Sequence, residues 1–143
     1  LCYGYGLQTT LLELVGAYSV FYSEGKFKPL NLLINNESYE ARQIMPQELS
    51  LKMKDMLLEV VDKGTGKKAK VDGLKISGKT GTVQKFGKEG YQDISHNALF
   101  IGQASSDNKN LIVGIIIRDA QKNGSGGGDV AAPSFANFIN RIY

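Results

Sequence analysis

From Leu74 onward the hydropathy pattern changes period, and this change most limits what the chain can fold into. Leu74, Ile76, Gly78, Thr80 and Thr82 alternate with Lys75, Ser77, Lys79, Gly81 and Val83. Strict alternation marks a strand, whose successive side chains point to opposite faces. The spacing predicts a strand over 74–85. Asn97 to Ala104 predicts a second strand. Leu111 to Arg118, continuous in Ile and Val, predicts a third, buried on both faces. Ser105 to Asn110 reads as the polar hairpin turn between these two. Phe86 to Asp93, with Gly87 and Gly90, is expected to be a loop.

Before Leu74 the period is helical. Thr10-Leu11-Leu12-Glu13 is a capping box, in which the Thr and Glu side chains satisfy each other's backbone amides. Leu11, Leu14, Val15, Tyr18 and Phe21–Tyr22 follow at helical spacing, and Gly25 suits the terminus. Lys28-Pro29 forces an extended exit. Leu30 to Ile34 is a short apolar run, and Asn35 to Ser38 reads as a turn. A second helix is predicted over about Pro46 to Lys63. Leu49, Met53, Met56, Leu57, Val60 and Val61 form its stripe, with the methionines as core filler. Gly64-Thr65-Gly66 makes a sharp loop. Gly124 to Gly128 is a flexible connection to a last helix from about Asp129, with Phe135, Phe138, Ile139 and Ile142 on one face. Pro133 sits near its start, where a missing amide hydrogen matters least. Helix, helix, three antiparallel strands and helix make an α+β fold in which the strands of a central sheet are flanked by helices.

Composition narrows the function classes. The 143 residues, 42% hydrophobic and 22% charged, suit one globular domain or part of one. No apolar run approaches the ~20 residues of a membrane span. The net charge of +3 is mild, and the Lys63, Lys67, Lys68 and Lys70 cluster reads as solvated surface rather than a nucleic-acid patch. Cys2 stands alone, so no internal disulfide forms, and one Cys with one His, His96, gives no metal-ligand spacing. The chain starts Leu1-Cys2-Tyr3. That start is expected of a segment from a longer protein.

Gly78-Lys79-Thr80-Gly81-Thr82 concentrates a cation, two hydroxyls and two glycines. With Gly73 it formally matches the phosphate-binding pattern G-x-x-x-x-G-K-[ST]. That chemistry needs a strand before the loop and a helix after it, and Gly81-Thr82-Val83 is a poor helix start. As a strand, the same residues suit acyl transfer. Gly81 lets a ligand lie against the backbone. Thr80 and Thr82 share a face and can hold a carboxylate. Lys79 adds positive potential, and the Thr82 amide can face a developing oxyanion. An ordinary Gly- and Thr-containing edge strand would share these residues, so the segments around them must decide.

Those segments are Gly4-Tyr5-Gly6 with Ala17-Tyr18, Val60-Val61-Asp62-Lys63-Gly64-Thr65-Gly66-Lys67-Lys68-Ala69, Gly78 to Lys85, His96 to Gly102, and Gly127-Gly128-Asp129-Val130-Ala131-Ala132-Pro133-Ser134-Phe135. In this order the chain resembles the C-terminal part of the transpeptidase domain of class B, or monofunctional, penicillin-binding proteins, with details nearer the division type. The resemblance implies a partial β-lactamase/transpeptidase-like fold over residues 1–143, incomplete on its N-terminal side. It implies a parent that cross-links peptidoglycan by serine acyl transfer from D-Ala-D-Ala stem peptides and is acylated by β-lactams. It implies no metal or organic cofactor. The expected partners are the stem peptide, β-lactams, the remaining N-terminal part of the same domain and other cell-wall synthesis or division proteins. The expected location is the periplasmic face of the bacterial inner membrane, with the anchor elsewhere in the parent. Lys79, Thr80, Gly81 and Thr82 become the substrate and oxyanion residues, and His96 and the Phe86–Asp93 segment border the cleft.

The family's nucleophile and base, S-x-x-K, and its S-x-N motif should precede Lys79-Thr80-Gly81. Ser23-Glu24-Gly25-Lys26 fits S-x-x-K at a helix end rather than a helix start. Ser106-Asp107-Asn108-Lys109 fits both motifs, but after Gly81 and inside a hairpin turn. The catalytic Ser and Lys are therefore expected off this chain, which alone should be inactive and should leave a strand edge and an apolar sheet face uncovered. The rival readings are a β-lactamase or β-lactam sensor on the same fold and a non-catalytic binding module. A nucleotide hydrolase is disfavoured by the strand alternation.

Overall fold

The structure, a computed structural model, describes residues 8–32, 39–87, 90–120 and 126–143, with side chains between 85 and 95 left aside. Tyr3 to Gly6, the Asn35–Ser38 turn and Gly124–Ser125 lie outside these residues. Helix α1 spans Leu11–Tyr22 and starts on the expected capping box. Thr10 accepts from the Glu13 amide at 3.2 Å, and the Thr10 amide donates to the Glu13 carboxylate at 2.7 Å. Hydrogen bonds from the Thr10 amide and from the Thr10 and Thr9 hydroxyls hold the Glu13 carboxyl below its usual range. At the other end Gly25 adopts φ 82°, a conformation glycine takes without strain. Its carbonyl then accepts from Ile44 and Met45. This contact sets up a two-stranded pairing that the sequence pattern does not announce, β1 (Lys26–Phe27) with β2 (Arg42–Gln43). Leu30 and Leu32 of the short apolar run are exposed.

Helix α2 spans Gln47–Asp62. Strands β3 (Lys75–Gly87), β4 (Gly90–Ser105) and β5 (Asn110–Ala120) form an antiparallel sheet in the order β3-β4-β5. A turn of π-helix over Gly127–Ala131 leads into α3 (Ala132–Ile142), with Pro in its first turn. The predicted element order and the strand reading of Gly78–Thr82 hold. The expected loop from Phe86 to Asp93 does not, because β3 runs to Gly87 and β4 starts at Gly90. Glycine weakens a strand without forbidding it, and cross-strand pairing carries the ladder through both positions.

One face of the sheet carries Ile76, Ala98, Phe100 and Ala104, packed with Val61 of α2 and with Ala132, Phe135, Ala136 and Ile139 of α3. The Phe100 and Phe135 rings lie 4.8 Å apart in a tilted pair, and both are fully buried. Such an aromatic pair dominates a small core through the area it removes from water. The other face receives α1, whose Leu11 and Val15 lie over Gly114 of β5. Helix α2 passes beside the β3 edge. Its first half docks on α1, where Ser50 Oγ donates to the Val20 and Phe21 carbonyls at 3.3 and 3.0 Å. Its last turn, at Val61, reaches the opposite core. The free edge of β3 is thus partly covered by a helix, and the faces carry α1 and α3.

Three burial expectations change. Strand β5 has no fully buried residue, and Ile116 is 42% exposed, because β5 is an edge strand over which α1 covers only part. On α2 the buried line is Ser50, Leu57 and Val61. Leu49 and Met56 each precede a member of that line by one position, about 100° of helix rotation. They are exposed, so Met56 is not core filler. On α3 the same offset leaves Phe138 at 44% exposure beside the buried Phe135 and Ile139.

Candidate functional site

The alternation of β3 sorts the predicted site residues. Ile76, Gly78, Thr80 and Thr82 face α3, and Ser77, Lys79 and Gly81 face α1. Lys79 nevertheless reaches the other side, its Nζ donating to the Thr80 carbonyl at 2.9 Å with Thr80 Oγ1 at 3.5 Å. The Thr80 carbonyl is therefore turned to the free edge of β3. Residues two apart present their peptide groups to the same edge, so the Thr82 amide is directed there as well. Lys79, Thr80, Gly81 and Thr82 come together at one edge as a cation, two hydroxyls and an outward amide.

Two neighbouring segments complete a cavity of about 460 Å³. The first is the loop after α2. Thr65 Oγ1 lies 2.7 Å from Thr80 Oγ1, and the 3-10 turn Lys67–Ala69 follows. The second is the glycine-rich start of the π-helical turn, where the Gly127 amide donates to Thr82 Oγ1 at 3.1 Å. The two segments are tied by Lys68 Nζ to Asp129 Oδ1 at 2.8 Å. A hydroxyl that accepts one hydrogen bond keeps its own proton to donate. Because Gly127 supplies a donor to Thr82, the Thr82 hydrogen is available to an anion in the cavity. The geometry suits a carboxylate held by hydroxyls at the β3 edge, beside an amide that can stabilise negative charge on an adjacent oxygen.

Only glycine fits at 127. A Cβ there would fall 2.5 Å from the Gly81 carbonyl oxygen and 2.9 Å from its nitrogen, with the Leu99 carbonyl closer still. Gly81 has its own packing reason, since a Cβ on it would meet Leu99 at 3.3 Å. Gly127 and Gly128 of the Gly124–Gly128 run are therefore close-packed, and Gly127 is buried and helical, not part of a flexible connection.

Thr65, Gly127 and the Lys68–Asp129 pair line the cavity without a local sequence pattern that marks them. Each sits in a segment that carries the family resemblance, which was the available signal. His96 is a half-buried strand residue paired with Gln84 and Ala120, and it does not line the cavity. The two S-x-x-K look-alikes stay away from the cleft. Ser23 caps the end of α1. Ser106 follows Ser105, which pairs with Lys75, five register positions from the Thr80–Phe100 pair. That is roughly 17 Å at strand rise. No group of three or more metal-ligating side chains occurs among the described residues.

Comparison with known proteins gives one consistent result. The family described as "Penicillin binding protein transpeptidase domain" matches residues 1–140. The probable peptidoglycan D,D-transpeptidase PbpC of Pseudomonas aeruginosa is 36% identical over 138 residues, covering 96% of this chain and 24% of that protein. The chain thus spans about a quarter of the length of this curated relative. The apo transpeptidase domain of Burkholderia pseudomallei penicillin-binding protein 3 superposes with a TM-score of 0.83 at 28% identity, over 98% of this chain and 43% of that one. Penicillin-binding protein 3 from Mycobacterium tuberculosis, complexed with aztreonam, gives 0.81 at 26% identity, over 97% and 36% of the two chains.

Proposed function

This chain belongs to the penicillin-binding protein transpeptidase domain family, and from that premise we propose that residues 1–143 form the C-terminal part of a peptidoglycan D,D-transpeptidase domain. The whole protein cross-links peptidoglycan outside the cytoplasm by acyl transfer from D-Ala-D-Ala stem peptides, and β-lactams acylate it. The observation that carries this reading is the convergence on Thr80 and Thr82. Two hydroxyls on one strand face, one of them accepting from the Gly127 amide, form an anion-holding wall at an open strand edge. Thr80 and Thr82 hold the carboxylate of the stem peptide or the drug. Lys79 supplies positive charge beside them. The Thr82 amide stabilises the oxyanion of the attacked carbonyl, and Gly81 leaves room for the substrate to lie along β3. The nucleophilic serine and its activating lysine come from the part of the domain that the relatives carry outside the matched stretch.

The test is acylation of the whole transpeptidase by a fluorescent penicillin. Hydrogen bonds to a charged group contribute about 1.5–3 kcal/mol each. Thr80→Val and Thr82→Val should therefore each slow acylation about tenfold to a hundredfold at 1.4 kcal/mol per decade. The isolated 143-residue chain should form no covalent adduct. Full acylation of the double variant, or a penicillin adduct mapped to a serine of the isolated chain, would end this reading.

A further inference from the structure

The lysine cluster after α2 is not uniform. Lys63 pairs with Glu59 at 3.2 Å, Lys70 with Asp62 at 3.1 Å and Lys68 with Asp129 at 2.8 Å. Lys67 has no ion pair among the described residues. It is exposed, on the 3-10 turn, and it lines the cavity that holds Thr80 and Thr82. Of the charged lining residues, Lys68 and Asp129 neutralise each other. Among the described residues that line the cavity, this leaves Lys67 as the uncompensated cation, on a different segment from Lys79 of β3.

The cavity is also larger than one carboxylate requires. Its volume of about 460 Å³ lies in the range of sites that enclose whole small ligands, roughly 300–1,000 Å³. A first carboxylate held as proposed above would meet the Thr80 and Thr82 hydroxyls on β3, with Lys79 at their edge. A free ammonium on a different segment is placed for a different anionic group.

We propose that Lys67 is a specificity residue of the cleft, recognising a second carboxylate on a ligand whose first carboxylate is held by Thr80 and Thr82. The inference rests on the transpeptidase reading above. An exposed ion pair is weak and screened by salt. The discrimination it provides is modest and ionic-strength dependent, which separates it from a packing role.

The experiment uses the whole transpeptidase and two β-lactams. One carries only its ring carboxylate, and the other has a further carboxylate on its side chain. The readout is the ratio of their acylation rate constants, dianion over monoanion, which does not depend on the fraction of correctly folded protein. Lys67→Gln should lower this ratio about three- to fivefold, and Lys67→Glu about tenfold. Lys67→Arg should keep it near the parent value. The effect should shrink as salt rises from about 50 to about 500 mM. An unchanged ratio in Lys67→Glu, or a change indifferent to salt, would overturn the assignment. If neither drug acylates the parent protein, the transpeptidase reading fails and this proposal fails with it. If both do and the ratio ignores Lys67, only this proposal fails.

Discussion

The tightest contact in the cleft wall allows a sharp test. In Gly127→Ala, the new Cβ would lie 2.5 Å from the Gly81 oxygen and 2.9 Å from its nitrogen. Carbon and carbonyl oxygen settle at about 3.3–3.6 Å even in their closest favourable contacts. With the Leu99 carbonyl closer still, the π-helical turn must therefore retreat by at least roughly 1 Å, since its obstacles are β3 and β4 backbone and cannot rotate aside. A retreat of that size stretches the 3.1 Å bond from the Gly127 amide to Thr82 Oγ1 past hydrogen-bond reach. Overpacking costs about 1–3 kcal/mol, and the lost bond about 1 more. The variant should unfold in urea with a free energy lowered by about 2–4 kcal/mol, and in the whole transpeptidase it should acylate more slowly. Gly126→Ala is the matched control. A Cβ there meets only Asp129 Oδ2 and Thr82 Oγ1, each at an ordinary 3.6 Å, and φ is −85°. It should be nearly neutral. Equal stability and equal acylation in the two variants would refute the argument that the Gly127 contact sets the position of Thr82.

Two further outcomes are expected. Thr65→Val removes the hydroxyl 2.7 Å from Thr80 Oγ1 and should weaken substrate binding about two- to tenfold, with recovery in Thr65→Ser, measured as KM against kcat. Burial pushes the Tyr22 hydroxyl up to about 12 against a hydrogen bond from Ser77, while Tyr22 itself donates to the Ser77 carbonyl at 3.2 Å. Below pH 10 the group is protonated in both folded and unfolded chains. Between about 10 and 12 only the unfolded chain releases the proton, so stability falls across that window by about 2–3 kcal/mol. Tyr22→Phe should be somewhat less stable at neutral pH and should lose this part of the alkaline decline in unfolding titrations.

What could be read from sequence divides along the range of the physics. The capping box at Thr10 and Glu13 and the alternation through Gly78–Thr82 are decided within a few residues, and both appear as expected. Along α2 and β5, apolar periodicity shows which residues could be buried, not which neighbours are present to bury them. Leu49, Met56 and Ile116 are exposed for that reason. The cleft wall depends on contacts over longer spans. Thr80 meets Thr65 across 15 positions, Thr82 meets Gly127 across 45, and Lys68 meets Asp129 across 61. No local pattern encodes such contacts, so the sequence points to the β3 residues and not to the residues that meet them.

The glycines show how far composition alone misleads. A run such as Gly124 to Gly128 has high backbone freedom in the unfolded chain, which makes it read as flexible. The same missing side chain lets two backbones approach, and that is its use at Gly127 against Gly81 and at Gly128 against the Thr65 carbonyl, 2.5 Å from where a Cβ would stand. Entropy lost in fixing these residues is offset by the backbone donor that their approach delivers to Thr82. Flexibility and close packing thus share one composition, and the neighbouring backbone decides between them. Both neighbours here, β3 and the loop at Thr65, belong to the proposed substrate wall. A side chain added at either glycine should therefore act first on the proposed carboxylate site at Thr80 and Thr82, while the Phe100–Phe135 core behind them stays intact.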